Sequence, residues 1–194
     1  MKVDIILSGV GGQGILSIAA VIGQAAIAAG LQMKQAEVHG MSQRGGDVQS
    51  HLRISDRPVA SDLIALGQAE VIISLEPMES LRYLPFLKKD GWVVTHSRPL
   101  INIPNYPDME KVTEELDKLP HTVALDVESV AREVGSPRAA NMAVLGAAIP
   151  FIPIKEEYIE EGVRRIFGRK GDDVVNMNLQ ALRAGSQSTQ SRRA

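Results

Sequence analysis

No cysteine occurs anywhere in the chain. That excludes disulfides, thiolate zinc sites, cysteine-ligated iron–sulfur clusters and a catalytic thiol on this polypeptide. Aromatic residues make up only 4% of it, so no aromatic-rich pocket announces itself. Neither sign of charge dominates: the formal net charge is −2, which argues against nucleic acid as the main partner. No apolar run approaches the roughly 20 residues needed to span a bilayer. The opening "MKVDIILSGVGG" is too acidic and too broken by glycine for a signal peptide; it reads as a first strand, with a cytoplasmic location as the default. The four histidines, His39, His51, His96 and His121, show no metal-ligand spacing, so no metal site is expected.

What is present is a packed core in the making. Hydrophobic residues account for 44% of 194 positions, enough for one well-buried domain and short for two. "VDIILS" (3–8), "EVIISLE" (70–76), "GWVVTH" (91–96) and "TVALDV" (122–127) are continuous apolar runs, as in strands covered on both faces. "MKQAEV" is a weaker strand. "DVQSHLRIS" (47–55) alternates with period two, the mark of an antiparallel or edge strand. Helical segments fall between them. "GILSIAAVIGQAAIAAG" (14–30) ends on Gly30, "MESLRYLPFLKK" starts after Pro77, and "MEKVTEELDKL" is amphipathic. The last third is helical: "PRAANMAVLGAAI", "KEEYIEEGVRRIFG" with Tyr158, Ile159, Val163, Ile166 and Phe167 on one stripe, and "DDVVNMNLQALRAG" closed by Gly185. This alternation predicts an α/β fold in three layers, a mainly parallel sheet with helices on both faces, as a Rossmann-like variant. Residues 1–185 form the expected single domain, and 186–194, "SQSTQSRRA" from Ser186, the expected disordered polar tail.

Two glycine-rich loops stand out. In "SGVGGQG", Gly9, Gly11 and Gly14 satisfy G-x-G-x-x-G between a strand and a helix. Glycine there allows a tight turn and close backbone approach, and the helix N-terminus offers unpaired N–H groups to an anion. The same glycines could serve only to pack a strand–helix corner. Glu37 falls near the place of a ribose-binding acid, but a loop and an alternating strand follow it where a dinucleotide half-domain would have a helix. Gly12 and Gln13 add an amide that can bond a ligand or a neighbouring subunit. The second loop, "SQRGG", puts Ser42 and Arg44 ahead of Gly45 and Gly46. A guanidinium beside two glycines can grip a phosphate or carboxylate in a fork, with the glycine N–H groups assisting. It can equally pair with an acid on a partner, or idle in solvent.

Other polar residues draw milder readings. Asn141, in the apolar "AANMAVLG", needs a polar partner and reads as a brace for the glycine loops or a ligand contact. Ala139, Ala140, Ala143, Gly146 and Ala147 form a small-residue surface for close helix packing. Asp126 at a strand end reads as a helix N-cap, and His39 as an ordinary loop histidine.

Taken together, "GVGGQG", "SQRGG", "SDLIALGQAEVIISLEPMESLRYL", "ALDVESVAREVGSPRAANMAVLGA" and "NLQALRAG" resemble the gamma-type subunit or domain of 2-oxoacid:ferredoxin oxidoreductases. Within that family the chain is most similar to the small (beta) subunit of the indolepyruvate enzymes. The resemblance spans about residues 3–185. It implies a subunit inactive alone, with no catalytic residue of its own. The partner would be a large subunit holding thiamine diphosphate, magnesium and iron–sulfur clusters; coenzyme A is the cosubstrate and ferredoxin the acceptor reached through the complex. It is consistent with this that the chain has neither cysteine nor the "GDG" pattern of a thiamine-diphosphate site. The candidate binding residues are Gly9, Gly11, Gly12, Gln13, Gly14, Ser42, Arg44, Gly45, Gly46 and Asn141. A heteromer subunit should also expose an apolar docking face, through which the isolated chain can self-associate. Two alternatives remain open on the residues alone: an independent NAD(P)-binding Rossmann-type oxidoreductase, and a non-catalytic assembly module.

Overall fold

The computed structural model describes residues 1–39 and 45–193, with the backbone alone at His39, Arg192 and Arg193. Strands β1 (Lys2–Val10), β2 (Gln32–His39), β3 (Asp47–Ser55), β4 (Ala69–Ser74), β5 (Leu87–His96) and β6 (Thr122–Leu125) form one six-stranded sheet in the order β2-β3-β1-β4-β5-β6. β1, β4, β5 and β6 run parallel. β3 is antiparallel to both β1 and β2. The period-two strand is thus antiparallel, as expected, but it lies inside the sheet and β2 takes the edge.

Alternation along the strands feeds two cores. Val3, Ile5 and Leu7 of β1, Val71 and Ile73 of β4 and Val94 of β5 face one side. α1 (Ile15–Ala28) and α5 (Ala140–Ala148) pack against this face of the sheet, and α4 (Val127–Glu133), α6 (Glu156–Phe167) and α7 (Asp172–Arg193) extend the same core by packing on those two helices. Ile6, Ile72 and Val93 face the other side, under α2 (Pro77–Arg82) and α3 (Met109–Asp117). Period-two side-chain placement on a sheet buried on both faces requires this split.

Two expected helix ends shift. α2 stops at Arg82, because Pro85 cannot continue it; a short 3-10 turn over Leu84–Phe86 leads into β5, which begins at Leu87. The expected cap at Gly185 and polar tail from residue 186 give way to one helix reaching Arg193, with Ser186 and Thr189 buried and Thr189 Oγ1 donating to the Ala147 carbonyl at 3.1 Å. Gly185 has a different task. A Cβ on it would lie 1.9 Å from the Ala143 carbonyl oxygen, and one on Gly146 would lie 1.8 Å from that of Leu182. α5 and α7 touch backbone to backbone through these two glycines, on the small-residue surface the sequence displays.

Beneath the sheet's amino end, Asp4 is fully buried and held by Arg53 through two bonds, Nε to Oδ1 at 3.0 Å and Nη2 to Oδ2 at 3.2 Å. Arg53 Nη1 also donates to the carbonyls of Ser61 and Leu63, so the connection after β3 is tied to the strand by the same guanidinium.

Candidate functional site at the carboxyl edge

The parallel strands β1, β4, β5 and β6 all end on one edge of the sheet, and the antiparallel β3 begins there. Both glycine loops therefore reach the same edge, and they are bonded to each other. Gly11 N–H donates to the Gly46 carbonyl at 2.8 Å, and Gly45 N–H donates to the Gly11 carbonyl at 3.4 Å. Ser42 and Arg44 lie outside the described residues; their chain neighbours Gly45 and Gly46 are the described part of the second loop.

The first loop is built from inside. Gly9 has no room for a side chain: a Cβ would meet Gln13 Oε1 at 2.9 Å and Ile15 Cδ1 at 3.0 Å. Gln13 turns back into the protein. Its Oε1 accepts the Val10 N–H at 2.7 Å and its Nε2 donates to the Leu75 carbonyl at 2.9 Å, so it clamps the ends of β1 and β4 together. That is a scaffold role, where the sequence left a ligand or a subunit open. Gly14, the N-cap of α1, sits at φ 91°, a region that favours glycine, and a Cβ there would collide with Asn141 Nδ2 at 2.7 Å. Asn141 braces this turn: Nδ2 donates to the Gly14 carbonyl at 3.4 Å, while Oδ1 accepts its neighbour's Met142 N–H.

α1 has no side-chain cap and no acid in its first turn. Its leading N–H groups keep their partial positive charge for an outside partner. In front of them lies a cleft of about 320 Å³ lined by Val10, Gly11, Gly12, Gly14, Ile15, Leu16 and Val48. That is at the small end for a ligand pocket. Gly12, at φ 104°, has nothing within 4 Å of where a Cβ would stand, so its backbone is open to a visitor.

Glu37, the ribose-acid candidate, is on β2, and β3 stands between β2 and β1. Two strand spacings, roughly 10 Å, separate it from the glycine loop's strand. It pairs with Gln35 instead, Nε2 to Oε1 at 2.6 Å. The ribose contact of a dinucleotide site has lost its acid.

Behind the loops lies a polar cluster that sequence patterns did not reveal. Glu76, fully buried, caps α2 by accepting the Glu79 N–H at 2.8 Å, and it also accepts the Tyr106 hydroxyl and the Leu100 N–H. The one legible signal was Pro77, a residue favoured at the first position of a helix. Beside it Arg82 forks onto Glu79 at 2.8 and 3.2 Å. Tyr83 donates to Asp47, the first residue of β3, at 2.6 Å. Burial pushes the Glu79 carboxyl above the usual range, against the pull of Arg82. Burial, with the Asp47 carboxylate, also raises Tyr83, which stays a donor. Asp126 caps α4 as expected, accepting the Ser129 N–H at 3.1 Å and pairing with Arg98 at 2.5 Å. Among the described residues no group of three or more His, Asp or Glu is placed to hold a metal, and no helix is long and apolar enough to cross a membrane.

The pyruvate ferredoxin/flavodoxin oxidoreductase family model matches residues 4–188, taking in both glycine loops, the polar cluster and most of α7. The chain belongs to that family. Among its relatives is the indolepyruvate oxidoreductase subunit IorB of Archaeoglobus fulgidus, 38% identical over 95% of this chain and 94% of the relative. The IorB of Thermococcus kodakarensis is also 38% identical, over 94% of this chain and 93% of the relative. The crystal structure of a keto/oxoacid ferredoxin oxidoreductase gamma subunit from Geobacter sulfurreducens superposes with a TM-score of 0.73 at 26% identity, covering 97% of this chain and 99% of that one. Family membership therefore covers nearly the whole fold just described, and the expected α/β architecture is that of the family's gamma subunits.

Proposed function

We propose that this chain is the small subunit of a cytoplasmic 2-oxoacid:ferredoxin oxidoreductase of the indolepyruvate (arylpyruvate) type. The observation that carries the reading is the direct bonding of the two glycine loops at the carboxyl edge, beside a cleft faced by uncapped N–H groups of α1. The names of the relatives, each a subunit of an indolepyruvate or oxoacid enzyme, support the substrate class. The complex cleaves the bond between the carboxylate and the carbonyl carbon of the 2-oxoacid. Carbon dioxide leaves, the acyl group passes to coenzyme A, and two electrons go to ferredoxin. Thiamine diphosphate with magnesium and the iron–sulfur clusters, which supply the carbanion and electron chemistry when bound, belong to the large partner; a chain without cysteine offers no thiolates to such clusters.

This chain's own share is binding and orientation. Gly9, Gly11, Gly12 and Gly14 keep the backbone low enough for an anionic group to approach the α1 N-terminus. Gln13 and Asn141 hold that turn from behind. Gly45 and Gly46, bonded to Gly11, hold the second loop beside the first, and Ser42 and Arg44 precede them in the sequence. A cleft this small is a part-site, completed when the partner closes over it.

The test is co-expression with a large thiamine-dependent, iron–sulfur subunit. The complex should reduce ferredoxin only when an arylpyruvate and coenzyme A are both present, and the isolated chain should do nothing. Retention of a nicotinamide nucleotide by the isolated chain, with dehydrogenase activity, would overturn the reading in favour of the dinucleotide alternative.

A further inference from the structure

The connection between β5 and α3, residues 97–108, has no regular structure for most of its length, yet it is tied down repeatedly. Ser97 N–H donates to the Leu125 carbonyl at 2.9 Å, and Arg98 pairs with Asp126. Further along, Leu100 N–H and the Tyr106 hydroxyl both go to Glu76 Oε1. Between these two anchors Asn102 reaches out, and its Nδ2 donates to the Gly45 carbonyl at 2.5 Å.

The physical logic runs in both directions. A carboxylate with no exposure, like Glu76, must be hydrogen-bonded to be tolerated. One of its donors is local, from α2, and the other two come from this connection. Glu76 therefore holds the connection in one place, and the connection holds Gly45 through Asn102. Gly45 and Gly46 in turn exchange backbone bonds with Gly11, on the wall of the cleft. The chain of contact is continuous from the buried acid to the first glycine loop.

We propose that Asn102, Tyr106 and Glu76 are positioning residues: they fix Gly45 and Gly46 against the first glycine loop, and so set the affinity of the cleft beside Gly11 for the anionic group bound there. The proposal rests on the functional reading above for what is bound there, but the positioning itself is a property of this chain. It predicts that the strap controls ligand affinity more than turnover, since it touches neither the cleft lining nor the reacting atoms.

The experiment compares the full-length wild type with Asn102→Ala, Asn102→Gln and Tyr106→Phe in two formats. In the isolated chain, hydrogen–deuterium exchange is followed in peptides covering residues 9–16 and 45–52. In the reconstituted complex, Michaelis constants for coenzyme A and the 2-oxoacid are measured separately from kcat. Asn102 is on the surface, so Asn102→Ala should leave the melting temperature unchanged. It should speed exchange in both glycine loops and raise one Michaelis constant between about twofold and tenfold, the weight of one neutral hydrogen bond, with kcat nearly constant. Asn102→Gln, which keeps the amide, should recover part of the loss. Tyr106→Phe should loosen the same two loops from a site that never touches them. Unchanged exchange in residues 9–16 and unchanged Michaelis constants in Asn102→Ala overturn the proposal, and so does a fall in kcat with both Michaelis constants intact. If the wild-type complex fails to reduce ferredoxin, the functional reading falls, while the exchange comparison still decides whether the strap positions the loops.

Discussion

Arg44 is the residue with most at stake in the proposed site, because in sequence it adjoins Gly45 and Gly46, which are bonded to the first loop. If its guanidinium meets an anionic group of coenzyme A or of the 2-oxoacid, Arg44→Ala removes a charge-assisted bond of roughly 1.5–3 kcal/mol. The Michaelis constant for that one ligand should then rise by about one to two powers of ten. Lys should restore only part, having charge without the fork. The melting temperature of the isolated chain should not move. Kinetics with each cosubstrate varied in turn separates the outcomes: if both constants and turnover are unchanged in an assembled complex, the ligand role is wrong, and if the complex no longer forms, the arginine belongs to the interface. At this scale the sequence was informative about the glycines, the Asn141 brace and the Asp126 cap, and mute about the contacts of Gln13 and Tyr106. Gly9 and Gly14 stand where side chains could not, which the fingerprint spacing foretold. That Gln13 faces inward, clamping Val10 to Leu75, could not be read from "GGQG", because Leu75 is far along the chain and only the parallel pairing of β1 with β4 brings it near. Tyr106 carried no signal at all.

At the level of elements, the packing of α7 makes the sharpest stability statement. Gly146→Ala forces a methyl group into the Leu182 carbonyl, 1.8 Å away, and nothing rigid can yield there except the spacing of two helices. A loss of about 3 kcal/mol or more is expected, at the upper end of overpacking costs. Gly168→Ala, with open space around the new Cβ, is the matched control and should be close to neutral. Urea unfolding of both variants checks the pair. A second joint can be titrated. Arg183 on α7 forks onto Glu160 on α6 at 2.6 and 2.9 Å, and this pairing, aided by Arg164 and opposed by partial burial, holds the Glu160 carboxyl below its ordinary range. A depressed carboxylate contributes stability above its unfolded pKa and loses it as pH falls through the folded value. Arg183→Gln should therefore cost under about 1 kcal/mol at neutral pH, given that the arginine is half exposed, and the gap should close below the ordinary glutamate range. A gap that persists unchanged at acid pH would assign the effect to packing. The apolar stripe of α6 was plain in the sequence, and α7 was expected as a helix. The end of α7 was not: Gly185 has the composition of a helix cap, and although the small-residue face of α5 was legible, nothing local said that α7 packs on it and turns Gly185 into a packing glycine inside a longer helix.

At the scale of the whole molecule, the two glycine loops and the apolar residues left in solvent raise one question, which face meets the partner. Leu16 on the rim of the cleft is 50% exposed, and Ile101, beside the asparagine that bonds Gly45, is 70% exposed. Both flank the carboxyl edge. Burying large aliphatic side chains gains on the order of 1.5–3 kcal/mol each, so two of them at the centre of an interface can decide whether it holds. If this edge docks onto the large subunit, the double variant Leu16→Ser, Ile101→Ser should weaken assembly by at least about tenfold. Neither side chain supports the core, so the isolated chain's melting temperature should change little. Any concentration-dependent self-association of the isolated wild type should disappear in the same variant, because two copies lacking a partner would use the same apolar edge. Pull-down titration against the large subunit and sedimentation of the isolated chain read the two effects independently. Undiminished assembly by the double variant would move the interface to another face. In that case the exposed Leu63 and Leu66, in the connection held over β3 by Arg53 and by the His51 bond to Ile64, become the next residues to change.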